Sequence, residues 1–116
     1  MSSYTNTVIL ADTMTASGAV TRNRFVNFAG AQAGAGDVVH GVASYDAPDG
    51  GLFASNICGL LSVEAGAAVA NGQRVKSDAS GRAVPAADNE PAVARAVAAA
   101  VGASFPLRIL RLSVQA

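Results

Sequence analysis

The chain is poor in the residues on which most site chemistry depends. Its 116 residues include one cysteine, one histidine and no tryptophan, and only 14% are charged, eight basic against eight acidic, for a formal charge of zero. A single cysteine, Cys58, excludes an internal disulfide. Set in the apolar run Ile57-Cys58-Gly59-Leu60, it lacks the electropositive surroundings that activate a thiol, and it reads as a small buried hydrophobe. Cys58 and the one histidine, His40, stand 18 positions apart and fall short of the three or four ligands of a zinc site. Half of the carboxylates, Asp37, Asp49, Asp88 and Glu90, neighbour Gly, Pro or Asn in turn-like segments, where Asp bonds its own backbone, and no pair sits in an apolar segment suited to acid–base work. The run from Gly30 to Gly36 is glycine-rich but lacks the Lys-Ser/Thr that ends a phosphate loop. No catalytic residue, metal or cofactor is expected.

Zero net charge also removes the basic face that nucleic acids demand, so no nucleic-acid partner is expected. The longest apolar run, Ala96 to Val101, is about a third of a membrane span, and Met1-Ser2-Ser3-Tyr4 does not open a signal peptide. Neither a membrane partner nor secretion is expected.

What is present is alanine: 26 of the 59 hydrophobic residues. Genome composition accounts for that as well as close packing does. Val, Leu, Ile and Phe still number 28, enough for one core in a chain of this size. Residues 1–18 are rich in Ser and Thr around one apolar cluster, Val8-Ile9-Leu10, and read as an extended N-terminal arm, ordered against a partner or pairing as an edge strand. Residues 19–116 read as a single β domain. Strand patterns occupy Arg24 to Phe28, Val38 to Tyr45, Leu52 to Val63 with a bulge or bend at Cys58-Gly59, Gln73 to Ser77, Arg82 to Val84, and Leu107 to Val114. In the last, Leu107, Ile109 and Arg111 share one side. Turn signals stand between them at Asp46 to Gly51 and Asp78 to Gly81. Residues 92–101 are divided: valines four apart suit a helix face, but even spacing also suits a strand, so a strand with or without one short helical segment is expected. The pattern as a whole predicts a mainly β protein, a compact small barrel or sandwich.

The stretch Gly66 to Val75, with its spaced glycines and valines, is similar to biotinyl and lipoyl carrier domains. Those present a lysine at a hairpin tip, whereas the tip at Asp78 to Gly81 has none and Lys76 stands inside a strand pattern. A second resemblance covers more of the chain. Gly41-Val42-Ala43, the turn from Asp46 to Gly51, the apolar strand ending near Gly59, Val63-Glu64-Ala65-Gly66, Val69 to Val75, Asp78 to Ala83 and the terminal Leu-Arg-Ile-Leu strand occur in that order. This succession resembles the capsid cement, or head decoration, proteins of tailed bacteriophages over about residues 20 to 114.

The resemblance implies a structural protein of the virion. It implies binding to the outer surface of the assembled head, with the major capsid protein as partner, and assembly as a homotrimer. Within that reading, Val8, Ile9 and Leu10 are expected to add as a strand to a sheet edge of the capsid. Phe25, Phe28, Leu52 and Phe53 are expected to contribute to self-association. Another phage structural module, such as a tail, spike or head-fibre base, is the alternative.

Overall fold

A computed structural model of the protein describes residues 6–112. Residues 1–5 of the expected arm (1–18) and the last two residues of the expected terminal strand (113–114) lie outside the described residues. The described residues form eight strands: β1 (Thr7–Thr15), β2 (Phe25–Asn27), β3 (Val39–Ala43), β4 (Leu52–Glu64), β5 (Arg74–Ser77), β6 (Ala83–Pro85), β7 (Ala94–Ala96) and β8 (Pro106–Arg111). Seven of them, in the order β2-β3-β4-β8-β7-β5-β6, form a nearly closed antiparallel barrel, and β1 lies off this path against β4. Closure comes from the turn between β5 and β6. Phe25 N–H donates to the Gly81 carbonyl at 2.7 Å, and Gly66 N–H donates to the Ala83 carbonyl at 2.7 Å.

The barrel interior is filled by Phe25, Val42, Leu61, Val75, Leu107 and Ile109, all at most 1% exposed. Ala33, Ala65, Ala83, Ala96 and Ala100 complete it. A second, smaller core of Ala16, Val20, Val26, Ala43, Ala47 and Phe53 lies on the opposite face of the β2–β3–β4 portion. The register shows how one strand serves both. Val42 of the barrel core stands opposite Asn56, whereas Leu61 stands opposite Ile109. Asn56 therefore lies on the barrel side before Ile57, and Leu61 and Val63, of the opposite parity, lie on it after. The period of two is broken where the β1 register also slips, between Leu10↔Cys58 and Ala11↔Asn56.

Residues 92–101 hold no helix; no helix is present among the described residues. They form β7 followed by turns. Val93 is buried, Val97 half-buried at the surface and Val101 76% exposed, so the three valines share no common face. Ala96 and Ala100 enter the barrel core instead.

The period-two reading of β8 holds, with a consequence for charge. Leu107, Ile109 and Arg111 all face inward, and Arg111 is 1% exposed. Its guanidinium has no carboxylate partner among the described residues. It donates from Nε to the Val93 carbonyl at 3.1 Å, from Nη1 to those of His40 at 2.8 Å and Ile57 at 3.0 Å, and from Nη2 to that of Val39 at 2.5 Å. Burial lowers its pKa, yet guanidinium remains charged at any ordinary pH. One side chain thus ties β3, β4 and the segment entering β7 across the end of the barrel.

Candidate interaction surface

The feature that stands apart from the barrel is β1. Burying a strand on one face normally imposes alternation, but all seven residues from Thr7 to Thr13 are exposed. The strand is held by backbone pairing to β4, from Thr7↔Leu60 to Thr15↔Leu52. Met14, packed on the smaller core, is its main side-chain anchor. An arm ordered only against a partner is therefore replaced by a strand ordered against its own chain. No described strand pairs with its second edge, which leaves a row of backbone donors and acceptors open.

At one end of this strand stand Val8, Ile9 and Leu10, exposed to 40, 72 and 52%. Val8 is opposite Gly59 and Leu10 opposite Cys58, so Ile9 is the extra residue of a bulge. Gly59 makes that geometry possible. Its φ is +123°, and a Cβ there would lie 2.2 Å from the Thr7 carbonyl oxygen and 3.0 Å from the Ile9 nitrogen. Cys58 beside it is a free, partly exposed thiol, so the expectation of full burial does not hold.

The middle of β1 is fastened by a polar group. Asp12 lies opposite Ser55 in the ladder. The His40 ring is hydrogen-bonded through Nδ1 to Ser55 Oγ at 2.8 Å, and its Nε2 lies 3.8 Å from Asp12 Oδ2. Phe28 meets the same ring edge to face, with centroids 5.0 Å apart. Burial holds the His40 pKa below its usual range; Asp12 opposes that shift and Arg111 adds to it. Gly41 gives this group its room, since a Cβ there would lie 2.3 Å from Ser55 Oγ.

Of the four residues expected to self-associate, Phe25 and Phe53 are wholly buried, one in each core, and have no surface to offer a partner. Phe28 and Leu52 are exposed. They do not form one patch. Phe28 lies with His40 and Ser55 on the Phe53 side of β4, and Leu52 points from the other side. A separate apolar cleft of about 510 Å³ is lined by Ala99, Val101, Phe105 and Pro106. Lys76, the residue a carrier would have to expose at a hairpin tip, projects from β5 and pairs with Glu90.

A family model described as phage cement protein matches residues 5–110. No curated protein matches the chain. Among solved structures, the head fiber gp8.5 N base of bacteriophage phi29 has a similar fold. The TM-score is 0.76 at 20% sequence identity, over 92% of this chain and 97% of that one.

Proposed function

The chain belongs to the phage cement protein family, and we propose that it binds the outer surface of an assembled phage head and stabilises the shell by bridging neighbouring major capsid subunits. One observation carries the reading: β1 offers an open strand edge with Val8, Ile9 and Leu10 exposed beside it. A capsid strand added to that edge gains backbone hydrogen bonds, and the apolar triplet supplies burial. Ile9→Lys tests it. Because Ile9 is exposed, the variant folds normally, and its cosedimentation with purified capsids is expected to be lost. Undiminished binding would refute the contact.

For self-association the proposal is a homotrimer in which Phe28 of one copy meets the Leu52 side of the next. A three-fold ring requires two different complementary patches, and exposed apolar residues on opposite faces suit it. Light scattering of wild-type protein and of Leu52→Ser checks this, with a trimer expected only for the wild type.

The fold similarity to a head-fibre base favours one alternative, a platform for a fibre rather than a cement. Calorimetry of loaded capsids separates the two. A cement raises the temperature at which the shell disrupts, whereas a fibre base binds without doing so.

A further inference from the structure

We propose that the outer face of β5–β7–β8 is a second interaction surface, distinct from β1, that receives an acidic segment of a protein partner. Arg74 of β5 and Arg95 of β7 are direct cross-strand partners. Like charges so placed repel, and an isolated sheet gains nothing from them. Leu110 is opposite Arg95 in the next strand, which puts Arg108 on the diagonal. Three guanidinium groups thus cross three strands in a row. Arg74 and Arg95 line a cleft of about 320 Å³ with Leu110, Leu112 and the buried Arg111, and no carboxylate is among the lining residues.

Among the described residues, the charges on this face are met by neutral acceptors. Arg74 donates to the carbonyls of Ala87 and Glu90, and Arg95 to that of Gly72. Arg108 Nε is buried and has no hydrogen-bond partner among the described residues. Of the nearby carboxylates, Glu90 is engaged with Lys76 and Glu64 with Arg24 and Arg82, while Asp88, in the loop whose Ala87 and Glu90 carbonyls Arg74 bonds, forms no ion pair among the described residues. Zero net charge therefore conceals a local excess of arginine. Of the charged residues, 1–60 hold two basic and four acidic, and 61–116 hold six basic and four acidic, a split of −2 and +2.

Carboxylates fit this row, because guanidinium groups bind them through paired hydrogen bonds. A protein segment fits better than a nucleic acid. Leu110 and Leu112 are exposed beside the arginines and call for apolar cover, and no aromatic ring lines the cleft for a base to stack on.

Backbone amide NMR of the whole chain, titrated with a short alternating Glu-Leu peptide or a thymidine oligomer of equal length, tests this. The peptide is expected to shift the amides of residues 93–95 and 110–112. Arg95→Gln should weaken it about fivefold or more, one exposed charge contact, while melting at the wild-type temperature or above. Arg22→Gln, on a different face, should change neither. Four results would overturn the proposal: no shift at millimolar peptide, an equal loss in Arg22→Gln, a marked fall in the melting temperature of Arg95→Gln, or shifts at these amides by the oligomer alone. None depends on whether β1 binds a capsid.

Discussion

Gly59→Ala is expected to release the end of β1 and leave the barrel standing. The added Cβ would lie 2.2 Å from the Thr7 carbonyl oxygen, 3.0 Å from the Ile9 nitrogen and 3.2 Å from the Val8 Cα. Carbon and carbonyl oxygen tolerate about 3.3 Å, so the strands must part by roughly 1 Å, enough to break a ladder hydrogen bond. The φ of +123° adds strain for any residue with a side chain, about 1–3 kcal/mol. Two responses compete. The barrel can deform around the strained pair, or the segment from Thr7 to Leu10 can peel away, losing a few hydrogen bonds at about 1 kcal/mol each. Because that segment is exposed on both faces, peeling forfeits little apolar burial and is the cheaper relief. The total falls near 2–3 kcal/mol, a melting shift on the order of 10 °C.

Amide hydrogen exchange reads the outcome residue by residue. Protection at residues 7–11 should nearly vanish, while Leu107 to Ile109 lose only what the global stability loses. Gly72→Ala is the control, since its φ is +83° with no atom within 4 Å of the added carbon. It should cost about 1 kcal/mol and leave β1 protected. Retained protection at residues 7–11 in Gly59→Ala would refute the argument that the bulge depends on this glycine.

Arg111→Leu should destabilise the fold by about 3–5 kcal/mol, measured by urea denaturation, because the carbonyls of Val39, His40, Ile57 and Val93 lose their donor in a buried site. A loss under about 1 kcal/mol would mean that those carbonyls find other partners. Stability should also fall with acid through His40. Its folded pKa lies below the ordinary 6.5, so the unfolded chain binds the proton more readily. The contribution is complete above about pH 6.5 and is lost as pH drops below it toward the folded pKa. Glu90, also lowered, acts only below its ordinary 4.5, so melting between pH 7 and 5 isolates the histidine. His40→Gln should flatten that interval, and an unchanged slope would exclude the imidazole as its source.

The elements with one face in the core were legible in the sequence. Leu52 to Val63 and Leu107 to Arg111 declare themselves by apolar run and alternation, and the Asp78 to Gly81 turn by its residues. β1 was legible only as an apolar triplet in a polar arm. Its order comes from backbone pairing, which leaves no periodic trace in side chains, and the Ile9 bulge interrupts what alternation there is. The buried Arg111 did leave a signal, since it shares parity with Leu107 and Ile109, but an arginine is expected outside unless paired. Four backbone carbonyls from three separate segments compensate it, and no local pattern announces them. The arginine row is a product of register: Arg74 and Arg95 are 21 positions apart and become neighbours only through the β5–β7 pairing. Phe25 and Phe28, three residues apart, have opposite fates because β2 is three residues long and ends between them.

The way β1 lies along β4 sets how the molecule bears mechanical load. Antiparallel ladder bonds run perpendicular to the strands. A pull along the axis of β1 stretches every bond from Thr7↔Leu60 to Thr15↔Leu52 at once. A pull at right angles opens them one after another from an end, each resisting with only about 1 kcal/mol. A shell attached through β1 would be tied firmly if tension in its surface ran parallel to this strand, and weakly if it ran across. The direction in which β1 is seated would then govern reinforcement as much as the affinity of the contact.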